Sequence, residues 1–141
     1  MNGKRKGILF ILLSAIGFFA YKMNGKVKKL KNVYDDCIAF TGKKITYDNE
    51  IFTGESMAVI FSGVEIDLTN ALLQDEVNIL DIHCEFSGVS IKVPKDWDIV
   101  LEGNSNKSEI EDKTSHLNDF VNNPKLIIKY NLSYSGVEIK N

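Results

Sequence analysis

The sequence predicts an all-β fold, namely a single-stranded β-solenoid of about five coils preceded by an N-terminal apolar helix. Three near-identical heptapeptides share the letters Ser-Gly-Val, at 61–67, 86–92 and 134–140. A short form, Phe-Thr-Gly, stands at 40–42, and a degenerate form stands at 107–111. Successive copies begin 21 to 27 residues apart, and self-similarity at such a period is typical of stacked repeats.

Apolar and polar residues alternate on both sides of each Ser-Gly pair, which predicts strands. Before the second copy, Leu80, Ile82 and Cys84 alternate with polar or charged residues, and Val89 and Ile91 continue the pattern after it. Successive side chains of a strand point to opposite faces, so one face of each strand is apolar and buried. Cys84 lies on that face and is expected to be a small core residue.

Each Ser-Gly pair is predicted to be a corner between two strands. Phe86 and Val89 are both apolar but three residues apart, so a straight strand would point them to opposite faces. A bend at Ser87 removes the conflict, and glycine supplies the positive φ that such a corner often needs. The predicted corner glycines are Gly63, Gly88 and Gly136.

A corner in every repeat describes a coil of β-structure in which each Ser-Gly pair lies above the last. Stacked coils bury one continuous apolar column, and no coil is stable alone. An antiparallel sandwich or jelly roll is the alternative, because short strands with turn signals fit it as well. The return of the same heptapeptide in the same orientation favours the coil.

Two stretches interrupt the repeats. Pro94 ends a strand, because proline has no N–H group to donate to a sheet, and Trp97 is expected to cover the edge of the apolar column. The polar, turn-rich stretch 111–124 is expected to loop out of the stack. Its apolar residues have the spacing of one face of a short helix: Leu117, Phe120 and Val121.

Charge divides the chain into the two predicted domains, an anchor with a basic linker at 1–31 and the β-solenoid at 32–141. The first holds eight of the 17 basic residues and none of the 19 acidic ones, so the second has nine bases against 19 acids. A nucleic-acid-binding domain would present a basic face. Nucleic acid is therefore not an expected partner.

The apolar stretch 7–21 is predicted to be a single membrane anchor. As a helix, its 15 residues span about 22 Å, short of the ~30 Å hydrocarbon core, but flanking lysines extend it by snorkelling. The predicted anchor residues are Ile8, Leu9, Phe10, Ile11, Leu12, Leu13, Phe18 and Phe19. A cleaved signal peptide is the alternative, although Phe18 stands where a cut after Ala20 needs a small residue.

The predicted location is the cell membrane, crossed once. Three basic side chains precede the apolar stretch and five follow it closely. Because loops on the cytoplasmic side are enriched in lysine and arginine, the soluble domain is expected in the cytoplasm rather than outside. The five later lysines are also expected to lie against anionic lipid headgroups.

No enzyme signature is present, and the sequence predicts no catalytic, cofactor-binding or metal site. Asp81, His83 and Glu85 share one face of a strand, but the face holds no second histidine and no cysteine, so a solvated outer surface is the favoured interpretation. The chain lacks a Gly-x-Ser-x-Gly elbow, a P-loop and a dinucleotide fingerprint. His116 has no obvious partner in the sequence.

The order of the motifs resembles a known family. The first heptapeptide runs into Asp-Leu-Thr-Asn-Ala at 67–71, the second into Val-Pro-Lys-Asp-Trp at 93–97, and the third closes the chain at 134–140. Over about residues 38–140 this combination is similar to the LiaF-like C-terminal domain of the cell wall-active antibiotics response proteins. The chain departs from that family where serine replaces the first glycine of each corner, and where one short apolar segment replaces several membrane helices.

The resemblance implies a bacterial, membrane-associated protein of the cell-envelope stress response, with no catalytic residues. The expected function is thus that of a membrane-tethered, non-enzymatic regulator or scaffold that contacts a protein partner of envelope-stress signalling. The alternative is a bactofilin-like structural solenoid that self-associates at the membrane, since terminal coils expose unpaired strand edges. No cofactor is expected under either hypothesis.

Overall fold

The computed structural model describes residues 29–114 and 123–141. Ten strands account for most of them, and one short helix at 29–33 precedes the first strand. The strands are β1 (Asp36–Ala39), β2 (Gly42–Phe52), β3 (Glu55–Ile60), β4 (Gly63–Leu73), β5 (Val77–Glu85), β6 (Gly88–Lys92), β7 (Asp98–Asn106), β8 (Glu109–Asp112), β9 (Lys125–Ser133) and β10 (Gly136–Lys140).

The strands form two five-stranded sheets in which every pairing is parallel. Odd-numbered strands make the first sheet, in the order β1-β3-β5-β9-β7, and even-numbered strands make the second, in the order β2-β4-β6-β10-β8. The all-β prediction is therefore confirmed. We call each odd strand with the even strand that follows it a strand pair, so that β1 and β2 form pair 1 and β9 and β10 form pair 5.

The repeats lie in register across the second sheet. Gly88 is opposite Gly63 on one side and Gly136 on the other, and the following residues of the heptapeptides match one to one. Equivalent residues of the copies therefore form straight rows that cross the strands. One apolar row faces the first sheet, and it includes Ile66, Ile91 and Ile139, none of them more than 1% exposed.

The pairs do not stack in chain order, which departs from the prediction that each corner lies above the last. Pair 5 lies between pairs 3 and 4, because β9 pairs with both β5 and β7, and β10 with both β6 and β8. The residues at the inward positions explain this order. In pair 4 they include Gly103, Ser105 and Asp112, whereas the residues opposite them in pair 5 are Tyr130, Leu132 and Ile139. The more apolar repeat thus takes the inner position.

The core lies between the two sheets, and the predicted ends of the strands are observed. β6 ends at Lys92, before Pro94, and Trp97 precedes β7 with 6% of its surface exposed. Cys84 is fully buried in the same core, as predicted. A buried aliphatic side chain contributes about 1.5–3 kcal/mol, so this column dominates the stability of the fold.

The prediction that the corner glycines adopt a positive φ is wrong. Gly63, Gly88 and Gly136 are absent from the residues of positive φ and begin β4, β6 and β10. The left-handed residue stands one place before each serine or threonine instead. These residues are Phe40 (57°), Phe61 (46°), Phe86 (50°), Lys107 (48°) and Tyr134 (49°). A left-handed conformation costs a non-glycine residue about 1–2 kcal/mol, so other contacts must hold the corner.

Several predicted features lie outside the described residues. They are the anchor, with Ile8, Leu9, Phe10, Ile11, Leu12, Leu13, Phe18 and Phe19, and, in the loop, His116, Leu117, Phe120 and Val121. Within residues 29–114 and 123–141, no helix has the length and hydropathy needed to cross a bilayer. The helix at 29–33 packs Leu30 against Ile60 and Phe61, on the outer side of the first sheet.

Candidate functional site: a groove with a glycine floor

A ladder of hydroxyl groups fixes the corners. The Ser87 hydroxyl accepts a hydrogen bond from the Ser62 amide (3.1 Å) and donates to the Glu85 carbonyl (2.8 Å). The Ser135 hydroxyl accepts in the same way from the Ser87 amide at 3.1 Å. The pattern repeats from Thr41, whose amide donates to Ser62 Oγ, to Ser108, whose Oγ accepts from the Ser135 amide. Each of these serine hydroxyls therefore bonds to the amide of one neighbouring corner and to a carbonyl of its own strand pair.

A ladder of aromatic rings runs beside the hydroxyl ladder. The rings of Phe61 and Phe86 are stacked at 4.9 Å and 1°, and those of Phe86 and Tyr134 at 4.9 Å and 4°. Phe40 continues the ladder at 5.5 Å from Phe61, and Lys107 ends it with its Nζ 5.4 Å from the Tyr134 ring centroid. The rings pack outside the main core, not inward as the alternation predicts for Phe86. Stacked pairs stabilise by about 0.5–1.5 kcal/mol, which offsets the left-handed backbone.

The glycines that follow the serines form the floor of an open groove on the outer face of the second sheet. The groove has a volume of about 770 Å³ and crosses four strands at Gly42, Gly63, Gly88 and Gly136. A Cβ atom added at any of the last three would meet nothing within 4 Å. These glycines thus leave space outside the sheet rather than relieve strain inside it. The floor presents peptide backbone without side chains.

Acidic side chains form one wall of this groove. They stand two residues after the glycine row, on the same face, and are Glu65, Glu138 and Glu111; Lys44 and Ser90 complete the row. The Nζ atom of Lys113 lies 3.7 Å from the Oε2 atoms of both Glu111 and Glu138, and it offsets part of their negative charge. Lys44 makes the pair 1 end of the groove basic, and the glutamates make the pair 4 end acidic.

The groove holds no catalytic apparatus among the described residues. The corner serines beside it are engaged in the ladder. The described histidine, His83, lies on the other sheet, with Nε2 3.0 Å from Glu85 Oε2 and its ring 5.7 Å from that of Tyr34. Asp81, His83 and Glu85 share one strand face, as the alternation predicts, but the prediction that this face is solvated is wrong for two of them, because Glu85 is buried and the His83 side chain is only 14% exposed. No group of three possible metal ligands is found in the described part of the chain. The arrangement suits binding by shape and charge.

Both cysteines are poor nucleophiles in this setting. Burial raises the pKa of the Cys84 thiol to about 12, and partial burial raises the pKa of Cys37, against the opposing effect of Lys31. Because the thiolate is the reactive form, neither cysteine has the microenvironment of a catalytic thiol. Neither forms a disulfide.

The sequence interpretation missed the acidic wall. It placed the glycines at corners because glycine is the residue that most readily adopts a positive φ, and it assigned no role to the glutamates that follow them. The available signal was parity: Glu65 stands two places after Gly63, and Glu138 two places after Gly136, so each pair shares one face of a strand.

Comparison with known proteins adds no relative. No model of a protein family, no curated protein and no solved structure matches this chain.

Proposed function

We propose that this chain is a membrane-tethered, non-enzymatic regulatory or scaffolding protein of the bacterial cell-envelope stress response, which acts by protein–protein contact. Its domain is a single-stranded β-solenoid of about five coils, an interpretation supported by the two parallel sheets and the in-register repeats. The observation that carries the proposal is the groove, whose side-chain-free floor lies on rigid strands and not on loops.

The resemblance to the LiaF-like domain supports the envelope-stress context. The second heptapeptide followed by Val-Pro-Lys-Asp-Trp is the most specific part of that resemblance. The basic, apolar leader supports a single-pass tether with the domain on the cytoplasmic side. Stacked repeats of this kind commonly present extended binding surfaces, which agrees with a scaffold.

The groove favours an extended segment of a protein partner. Its floor crosses four strands, a length of about 14 Å at ~4.8 Å per strand, which matches four extended residues. The carboxylates of Glu111 and Glu138 favour basic side chains on that segment, because opposite charges steer the encounter and select the partner. Lys44 disfavours a basic side chain at the other end, so the segment has a preferred direction.

Site-specific photo-crosslinking in the native membrane tests this proposal. A photoreactive residue at Gly88 points into open groove space, and one at Lys129, on the exposed outer face of the first sheet, is the matched control. The expected result is a cross-link from position 88 to one membrane-associated protein, lost when Glu111 and Glu138 are changed to glutamine. Equal products from both positions, or none from position 88, would contradict the proposal.

A second candidate function is a self-assembling structural solenoid at the membrane. The unpaired edges favour it: β1, β2, β7 and β8 each have one neighbouring strand in the sheets of the described residues, and such edges are templates for another chain. One feature opposes it. Asp36 and Lys43 form a 3.1 Å ion pair at inward-facing positions of pair 1, so charge lies at that end of the apolar column.

A further inference from the structure

We infer that the two ends of the stack bind one another head to tail, so that pair 4 of one copy docks on pair 1 of a second copy. This contact rests on the second candidate function, self-assembly, and names its interface. β7 and β8 would continue the sheets onto β1 and β2 of the next copy in the same parallel direction. Such a contact is heterologous and forms an open array.

Charge is complementary along the outer row of the second sheet. The order across the strands is Lys44, Glu65, Ser90, Glu138, Glu111. Continuing that register places Lys44 of the next copy beside Glu111, at the end where two glutamates are neighbours. Opposite charges on adjacent strands stabilise a sheet, so Lys44 adds a second positive charge beside Glu111, which already lies 3.7 Å from Lys113 Nζ.

The two corner ladders have complementary ends as well. Lys107 covers the ring of Tyr134 at the pair 4 end, and Phe40, 42% exposed, ends the aromatic ladder at pair 1. In the head-to-tail contact, Lys107 lies between two rings. The amide of Ser108 then faces the Thr41 hydroxyl of the next copy. Within one copy, each of the other four corner amides likewise donates to the hydroxyl of the adjacent corner.

A contact between two identical ends fits less well. Pairing β8 with a second β8 brings together Glu109, Glu111 and Asp112 of both copies, and same-sign carboxylates on neighbouring strands repel. Head-to-tail docking instead sets this acidic edge against Lys44. The Asp36–Lys43 ion pair limits the strength of the contact, because its burial removes water from both charges, so assembly depends on a high local concentration.

Cysteine cross-linking of the full chain in membranes tests the geometry. In a Cys37→Ser background, Thr41→Cys and Ser108→Cys place thiols on adjacent strands of the junction, about 5 Å apart between Cα atoms, within the range for a disulfide. Within one copy the two positions lie at opposite ends of the stack and cannot form a disulfide. Oxidation should give a ladder of dimers, trimers and larger species from the double variant, and only dimers from a mixture of the single variants.

Charge reversal in the double-cysteine variant is the second test, and it changes the junction at side chains other than the introduced thiols. Lys44→Glu or Glu111→Lys alone should lower the cross-linking yield about two- to fivefold, as expected for an exposed ion pair, and both changes together should restore it. Ser90→Lys, at the centre of the same row and two strands from either end, is the control and should leave the yield unchanged.

The possible failures are distinguishable. Dimers from Ser108→Cys alone would overturn the head-to-tail contact in favour of identical ends, while self-assembly would stand. No disulfide from any variant would overturn both the contact and self-assembly, but not partner binding at the groove, which photo-crosslinking reports separately. A yield that responds equally to Ser90→Lys and Glu111→Lys would also overturn the proposed junction.

Discussion

Gly103, which is in none of the heptapeptides, is predicted to be the glycine that the fold cannot replace. It lies opposite Tyr130 on the neighbouring strand β9 and has a φ of +158°. A Cβ atom there would lie 1.9 Å from the Tyr130 carbonyl oxygen and 2.8 Å from Tyr130 Cγ. Gly103→Ala must therefore push β7 away from β9, whereas Gly88→Ala adds a methyl group to open space.

The two substitutions should change stability in opposite directions. Separating β7 from β9 at this point breaks about two ladder hydrogen bonds, at about 1 kcal/mol each, and alanine adds about 1–2 kcal/mol of backbone strain. Gly103→Ala should thus lower the free energy of unfolding by about 3–4 kcal/mol. Gly88→Ala should raise it by about 0.4–1 kcal/mol, because alanine restricts the unfolded chain at a position whose backbone it tolerates.

Urea unfolding followed by tryptophan fluorescence measures both effects. Trp97 is the only tryptophan of the chain and is buried in the core, so its emission reports loss of the stack. At about 4–8 °C per kcal/mol, the Gly103→Ala variant should also melt roughly 12–30 °C below the parent. Equal unfolding midpoints for the two variants, or a Gly88→Ala variant that is the less stable one, would refute the reasoning.

The remaining predictions concern the corner hydroxyls and the thiols. Ser87→Ala leaves the Ser62 amide without its acceptor and should lower the free energy of unfolding by about 1–3 kcal/mol in the same urea assay. The control, Ser90→Ala on the groove wall, should change the free energy of unfolding by less than about 0.5 kcal/mol. Equal effects of the two substitutions would show that the hydroxyl ladder does not hold the corners. At pH 8 a thiol reagent should label Cys37 in the native protein and Cys84 only on unfolding, because burial raises the pKa of Cys84 to about 12. Mass spectrometry measures which cysteine is labelled first. Faster labelling of Cys84 than of Cys37 would contradict the burial of Cys84.

The sequence predicts what the regular alternation determines. Alternation of Leu80, Ile82 and Cys84 identifies the buried face of β5, and the repeated heptapeptides identify parallel neighbours, because only these place equivalent residues side by side. Pro94 marks the end of β6 by a local rule that needs no tertiary context. These elements depend on one strand at a time, which is why the all-β architecture could be predicted.

What the sequence does not predict depends on competition between repeats. The order of the pairs depends on which pair has more apolar surface to bury. This requires a comparison of pair 4 with pair 5 and cannot be deduced from either pair alone. The corner conformation is likewise decided by contacts between copies: ring stacking and the hydroxyl ladder hold Phe61 and Phe86 in a conformation that their own propensity disfavours. The groove at Gly88 escaped prediction for the same reason, since its space exists only once neighbouring strands align.

The displaced position of pair 5 has a consequence for synthesis on the ribosome. Pair 4 emerges from the ribosome before pair 5, yet among the described strands pair 5 is its one neighbour in the finished sheets. If each strand pair of the nascent chain paired with the previous one as it emerged, β7 would pair with β5 and occupy the position of β9. Correct folding therefore requires β7 and β8 to remain unpaired until β9 and β10 have been synthesised. The misfolded state expected of this chain is a kinetic trap in which pairs 4 and 5 have exchanged positions.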